Sequence, residues 1–524
     1  MARDIYSRLK IGGKLEAETP LHVGGVGGST DSDMALAVNG KGEFYVPGTS
    51  LTGVLRAWCE EHFGNVDWVF GFQKNDSGHA SFVLIEDATI ENANEILTEI
   101  RDGVGIDRFY GTAADKTKYD REILPKGTQL KFEMTVEIGK EENEAKTKAI
   151  FAHLVEAMKA GELRFGGSRT RGLGRLRLID LSFKEQKLKG FDNILKLLRN
   201  ESEDVKITDE LKKSVEFTEK PGLEITIDWS PVQPVMVKAG FEGIGVDMLP
   251  LVSQKSSENL ALVLPGSSIK GALRAHAERI MRTLLDCEDK NEAFRTKNNT
   301  NFHDQINKIP LINELFGAKA ESDEKADKKG RIGALSIDDC FAEQTFDRKS
   351  WNEITTEKTT VTKDNKELEV SYAEQPLWKA LDKIKHLPKG EKNEITSFQI
   401  EHHNAIDRFT GGAADGALYS VLVPTKIVWD KMRFSLDFSR TKKPRQCLML
   451  LLLVLRDLAE NRLPLGFATT RGMGEIKVNG FELKGKNLET IGLSGDISIK
   501  IENGKFVASE TLKNLGGEDW WETN

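Results

Sequence analysis

One stretch of this sequence is built to meet an anion: RFGGSRTRGLGRLRL, residues 164–178. Arg164, Arg169, Arg171, Arg175 and Arg177 alternate there with glycines. Glycine lets backbone N–H groups approach an oxyanion, and planar guanidinium forks grip phosphate through paired bonds. A nucleic-acid backbone such as RNA is the natural ligand, held less tightly as salt rises. A solvated strand edge also uses arginines, and Arg175 and Arg177 suit that role. Two further blocks, PGTSLTGVLRA from Pro47 and PGSSIKGALRA from Pro265, each read as the opening of a helix. Thr49 or Ser50 would cap the first. The helix N-termini beside Ser50 and Ser268 are candidate anion sites. Arg56, Arg274 and Lys270 add positive charge on the same helices.

These blocks occur in pairs. IDRFYGTAAD from Ile106 and IDRFTGGAAD from Ile406 agree at eight of ten positions. TRGLG from Thr170 and TRGMG from Thr470 follow them at equal distance, and the two PG blocks precede them. The spacing is too long for a solenoid, so a whole domain is duplicated. The second glycine loop keeps Thr470, Arg471, Gly472 and Gly474 but is far less basic.

The elements that must position these blocks follow one order in both copies. In the first, residues 9–20 partly alternate as a strand would, and a glycine-dense loop follows from Leu21 to Asp33. That loop is no dinucleotide fingerprint, because Thr30 stands where the third glycine belongs after Gly25 and Gly27. The PG-block helix, strands at 81–90 and 129–138, a helix at 145–160, the glycine loop and a closing strand at 175–183 complete the copy. The fold expected is α+β: two tandem ferredoxin-like (RRM-like) domains, each with an inserted hairpin. The divisions are 1–183, a charged connector 184–221 with a helical piece at 191–199, 222–484 with insertions near 287–330 and 341–397, and a tail 485–524 ending in Trp520 and Trp521.

Composition sets outer bounds. The 524 residues carry 74 Lys and Arg against 82 Asp and Glu, a net charge of −8, so any nucleic acid must be met by a local basic patch. Cys59, Cys287, Cys340 and Cys447 show no zinc spacing and read as buried thiols in a reducing compartment. The N-terminus lacks the apolar core of a secretory signal, and the run 447–455 is too short to span a bilayer. A cytoplasmic protein without membrane contact is expected.

The ordered set PGxSxxGxLR, IDRxxGxAxx and TRGxG resembles the RAMP superfamily of CRISPR-associated proteins, over residues 9–182 and 223–482. It is similar in particular to the Cas-seven-type backbone subunits of type III effector complexes, and the fusion to the double subunit of type III-D systems. The resemblance implies a hairpin "thumb" between the halves of each domain that wedges between guide and target RNA and displaces a base pair. Arg108, Ala113, Ala114, Arg408, Ala413 and Ala414 fall on those thumbs, and Asp107 and Asp407 would pair with the neighbouring arginines. A hairpin that only packs on the next subunit needs the same residues. Implied partners are CRISPR RNA, target RNA, further backbone subunits, a large polymerase/cyclase-type subunit and a small subunit. With no aromatic strand of the RRM type, recognition falls to backbone and shape, and sequence is left to base pairing.

In active members of that family a loop aspartate supports metal-dependent cutting of target RNA. Asp33 and Asp247, each followed by Met and an apolar stretch, match that position, Asp33 better than its neighbour Asp31. Each would hold a divalent ion, Mg2+ or Mn2+, or position the ribose 2′-OH for attack on the adjacent phosphate. His22 matches a family histidine that contacts RNA or assists proton transfer, although the second copy has none there. The alternatives are a non-catalytic scaffold on the guide RNA, or a guide-processing ribonuclease that cuts without metal.

Overall fold

In the computed structural model, residues 4–25, 32–108, 110–240, 246–286, 309–319, 330–355, 359–363, 366–370, 381, 384–386 and 394–515 are described. Residues 26–31 (including Asp31), Phe109, Cys287, most of the insertion 287–330, the middle of the insertion 341–397 and the Trp520–Trp521 pair lie outside them.

The first copy runs β1 (Ser7–Ala17), α1 (Gly48–Phe63), β2 (Val83–Ile85), β3 (Glu99–Gly103), β4 (Tyr119–Ile123), β5 (Gln129–Ile138), α2 (Glu144–Lys159) and β6 (Leu176–Lys187). Its sheet has the order β6-β1-β5-β2, all antiparallel, with Glu203–Asp204 added outside β6. After the connector helix α3 (Phe191–Leu198), the second copy runs β7 (Gly222–Pro231), α4 (Gly266–Asp286), β8 (Leu335–Asp338), β9 (Phe398–His403), β10 (Tyr419–Pro424), β11 (Met432–Asp437), α5 (Pro444–Ala459) and β12 (Ile476–Lys486). Its sheet repeats the order as β12-β7-β11-β8. This is the β-α-β-β-α-β plan, with the β3–β4 and β9–β10 hairpins inserted between its halves.

Period-two burial makes the sheets. Leu130, Phe132, Met134, Val136 and Ile138 of β5 all point inward against Leu9, Ile11 and Leu15 of β1. Ile150, Phe151, Leu154 and Val155 of α2 cover that face, each burial contributing about 1.5–3 kcal/mol. In α5 the run Leu448–Leu455 is buried on nearly every side, so an all-apolar helix here is core. Among the described residues no helix is long and apolar enough to cross a membrane. Both first strands are bulged against their closing partners, at Gly12/Lys14 and at Asp228/Trp229.

The chain divides into two compact units: Met1–Ile100 with Arg121–Arg169 and Leu173–Lys220, and Arg101–Asp120 with Thr170–Gly172 and Pro221–Asn524. The outer part of the first hairpin and the first TRG triplet therefore belong with the second unit. In the first unit the connector is anchored by Phe217, stacked flat between His62 and His153 at centroid distances of 4.8 and 4.6 Å.

Several local expectations change. The first helix is preceded by Pro47, and neither Thr49 nor Ser50 caps it. The strand expected over 81–90 breaks into Val83–Ile85 and Ala88–Thr89, because Asp87 between them turns in and accepts a bond from Gly48 N at 2.7 Å. Asp107 and Asp407, expected to pair with their neighbouring arginines, bond the backbone, and among the described residues Asp407 forms no ion pair with Arg408. Each caps the turn at its hairpin tip: Asp107 Oδ1 accepts from Tyr110 N at 2.9 Å, and Asp407 Oδ1 from Thr410 N at 2.7 Å and Phe409 N at 2.9 Å. A short carboxylate reaching its own backbone two or three residues on outcompetes a solvated pair. Those bonds, led by Thr410 N–H, hold the Asp407 carboxyl below its ordinary range.

Candidate functional site

In each copy three segments converge on the chain leaving the first strand. In the second unit Lys238 bridges Pro250, Leu251 N donates to Val237 O, and so the Asp247 loop is laced to that segment. Phe467 N donates to Met236 O and Gly474 N to Pro234 O, which ties in the glycine loop. The hairpin strand β10 joins through Met248 N to Ser420 O and Leu422 N to Met248 O. The first unit repeats the bonds: Gly24 bridges Leu36, Ala37 N donates to Val23 O, Gly167 N to His22 O, Gly174 N to Pro20 O, and Glu122 N to Met34 O. The acid loop, the glycine loop and the base of the hairpin thus meet in one place twice over.

Glycine is required where the loops cross. Gly166 and Gly466 have φ of 73° and 92°, and an added Cβ would stand 2.1 Å from His22 O and 2.2 Å from Met236 O. A side chain there meets both a left-handed backbone and a carbonyl.

Asp247 is exposed, and its Oδ2 accepts bonds from Ser420 N at 2.7 Å and Ser420 Oγ at 2.9 Å. The Ser420 backbone N–H first, then its hydroxyl, holds the Asp247 carboxyl below its ordinary range, so it is ionised throughout neutral pH. One residue earlier, the Tyr419 hydroxyl accepts from Arg471, whose guanidinium also lies 5.7 Å from the Tyr419 ring and 5.6 Å from Phe467. Such stacking fixes the fork of a cation. Asp33 is likewise exposed, while its neighbour Ser32 is buried. Arg121 reaches from β4 to the Ser168 hydroxyl of the glycine loop and, at 3.0 Å, to Met34 Sδ beside Asp33. Sequence reading missed Tyr119, Arg121, Tyr419 and Ser420. The tyrosines were findable, since one stands at the same distance after both IDR motifs.

His22 is not a surface ligand. It is 7% exposed, its Nδ1 lies 2.7 Å from Glu122 O, and burial pushes its pKa down, so the ring is neutral at pH 7. Met236 occupies the same place in the second copy, buried beneath the same loop.

The arginines sort themselves. Arg171 is exposed, and its Nη1 lies 3.3 Å from the Tyr119 hydroxyl, the arrangement of Arg471 and Tyr419. Arg164 and Arg169 are half-buried on the glycine loop. Arg175 bonds Gly161 O at 2.9 Å and Glu18 at 3.3 Å, and Arg177 pairs with Glu16 at 3.2 Å, so both hold the sheet edge.

The helix-one cations expected on RNA are internal instead. Arg56 bonds Glu60, Gly71 O and Asp67 at 2.7, 2.9 and 2.6 Å; Arg274 bonds Glu278 and Gly317 O at 2.9 and 3.0 Å. Lys270 is 5% exposed, with Nζ 2.6 Å from Leu335 O. The helix N-termini near the half-buried Ser50 and Ser268 already hold an anion of the chain's own. Asp87 accepts from Gly48 N and Asp339 from Gly266 N, both at 2.7 Å. A resident carboxylate satisfies the donors that a phosphate would use.

On the hairpins, Ala113 bridges Ile106 and Ala413 bridges Ile406, while Ala114 N and Ala414 N bond Gly105 O and Ala405 O. Arg108 and Arg408 stand at the tips: Arg108 is half-buried on Glu278 at 2.7 Å and Arg408 is exposed.

Among the described residues no three His, Cys, Asp or Glu side chains gather as a metal cage. Magnesium does not demand one, since it keeps several waters and takes one or two carboxylates. The exposed, ionised Asp247 fits that minimal donor set, and Asp33 offers the same chemical group.

The model of the RAMP superfamily matches residues 14–177 and 234–477, one match on each copy. The chain is also similar to the "CRISPR system Cms endoribonuclease Csm3" of Methanocaldococcus jannaschii, 27% identical over 245 residues, which covers 40% of this chain and 94% of that relative.

Proposed function

This chain belongs to the RAMP superfamily, and from that premise we propose that it is a fused double backbone subunit of a type III CRISPR effector complex, holding CRISPR RNA and cutting bound target RNA at two places. The observation that carries the reading is the meeting, in each copy, of an exposed acid's loop with the glycine loop and the hairpin base, joined in the second copy by Arg471 stacked on Tyr419. Arg171 and Arg471 present guanidinium forks to phosphates, and the glycine loops let the RNA backbone come close. The hairpins part guide from target, and the nucleotide so freed is oriented for attack by its own 2′-OH. A divalent ion, Mg2+ or Mn2+, held at one site by Asp33 and at the other by Asp247 would supply positive charge against the phosphate there. Partners on this reading are CRISPR RNA, target RNA, further backbone subunits, and large and small subunits of the complex, in the cytoplasm.

The test is cleavage by the assembled complex. Asp33→Ala and Asp247→Ala should each weaken one product band by about 100-fold while guide binding is unchanged. Persistence of both bands in the double variant would establish the scaffold reading. That second reading has one observation in its favour, the engagement of Asp247 with Ser420, which gives the acid a structural use.

A further inference from the structure

The connector helix α3 carries an apolar stripe that the described residues leave uncovered. Phe191, Ile194 and Leu198 fall at i, i+3 and i+7, along one face of a helix, and are 75, 46 and 78% exposed. The matching stretch after the second closing strand is covered. Leu488 and Leu493 there are 6 and 3% exposed, in one core with Ile499 of the hairpin formed by Ile499–Glu502 and Lys505–Ala508. An exposed run of large apolar side chains marks a surface that meets a partner.

Two neighbouring features set the chemistry of that partner. Between α3 and the end of β6 lies a cavity of about 110 Å3, lined in part by Glu185, Gln186, Asn193, Leu197 and Glu203. Glu185 and Gln186 are 7 and 5% exposed, yet Oε1 of each has no hydrogen-bond partner among the described residues. The other Glu185 oxygen is taken by Lys148 Nζ at 2.8 Å. Buried acceptors left over in this way call for a donor, and the cavity has more room than one water fills. The second feature is charge. Residues 184–199 hold five Lys and Arg against two Asp and Glu, and Lys187, Lys189 and Arg199 are exposed. The occupant is therefore apolar, donates a hydrogen bond, and carries acid.

Tryptophan meets the first two demands, with a large apolar ring and an indole N–H that only donates. The sequence has one adjacent pair, Trp520 and Trp521, set between Glu518, Asp519 and Glu522 in the tail beyond the described residues. We propose that α3 and its cavity dock residues 518–522 of a second copy of this chain. One indole covers the apolar stripe, the other donates into the cavity, and the acids meet the basic rim. Each chain offers one tail and one helix, so two chains that exchange tails close a dimer. This inference does not involve the acid loops and stands whether or not the chain cuts RNA.

Sedimentation of the whole chain over a range of concentrations tests it. The natural chain should gain mass towards a dimer as concentration rises, less readily at high salt. Two double variants should stay monomeric: Phe191→Asp with Leu198→Asp, and Trp520→Ala with Trp521→Ala. Mixed, they should associate at least tenfold more tightly than either does alone, because one keeps the tail and the other the helix. Gln186→Met keeps the length of the side chain but not its acceptor, and should weaken dimer formation by about fivefold. A natural chain that stays monomeric, a dimer that survives either double variant, or a mixture that does not associate overturns the proposal. Dimer formation unchanged by Gln186→Met would overturn the part given to the cavity.

Discussion

The site around Asp247 and the site around Asp33 share most of the main-chain bonds that shape them, yet differ in the side chains that surround the acid. Met236 stands where the first copy has His22, Ser420 where it has Asp120, Val421 where it has Arg121, and Leu422 where it has Glu122. In the second copy the acid is clamped by a serine; in the first, the matching residue is a carboxylic acid, and Arg121 and Glu122 secure the loop through Met34 Sδ and Leu36 N. The backbone frame is therefore the constant, and the side chains are free to specialise once glycines have let the loops cross.

The sharpest way to break that view is to damage the frame in one copy at a time. Gly166→Ala and Gly466→Ala should each cost about 3 kcal/mol, since both force a side chain into a left-handed backbone against a carbonyl oxygen. Denaturant unfolding should show equal losses. A mild loss in one copy alone would mean that the frames are not equivalent.

Lys270→Met comes next. It removes a buried ammonium from Leu335 O and should cost about 1–3 kcal/mol. It should leave the salt dependence of RNA binding unchanged, whereas Arg171→Ala should lower that slope by about one phosphate's worth.

Much of this architecture could be read from the sequence. The repeated blocks gave the duplication, and alternation in QLKFEMTVEI gave a core strand because period two is a strong signal over ten residues. The roles of single charged residues could not be read in the same way. Lys270 looked like a phosphate ligand because its partner, Leu335 O, is distant in sequence and uncharged, whereas Arg56 and Arg274 each carried a legible signal in the acid four residues on, Glu60 and Glu278. Asp87 and Asp339 were invisible as helix caps for the same reason as the Lys270 partner: the bond spans 39 residues in one copy and 73 in the other. Asp407 was misassigned by its adjacency to Arg408, since neighbours along a chain rarely face each other.

Ser420→Ala sharpens the contrast between the two acids. It deletes the hydroxyl bond to Asp247 Oδ2 but keeps the bond from residue 420 N–H, so the Asp247 pKa should rise part of the way to its ordinary 3.8. A depressed carboxyl pKa stabilises the fold above its unfolded value and loses that contribution as pH falls through the folded value. The variant should therefore lose second-site cleavage at a higher pH than the natural chain does, with the first site unmoved. Acid titration of the two product bands separates these outcomes.

His22→Met has the smallest expected effect and the most to say about which side chains matter. It gives the first copy the residue that the second copy already uses, at the loss of one bond to Glu122 O, about 1 kcal/mol. Burial lowers the His22 pKa, so the unfolded chain takes up this proton more readily than the folded one. Folding of the first unit should therefore weaken as pH falls below about 6.5, with His153, also depressed by burial, adding a change of the same sign. The methionine variant should flatten part of that acid slope and leave cleavage beside Asp33 within about twofold, a change smaller than 0.5 kcal/mol in barrier. A loss of 100-fold would instead make the imidazole a participant in proton transfer. The second copy, with a thioether in that place, would then have to move its proton by another group, and the two sites would differ in mechanism as well as in side chains.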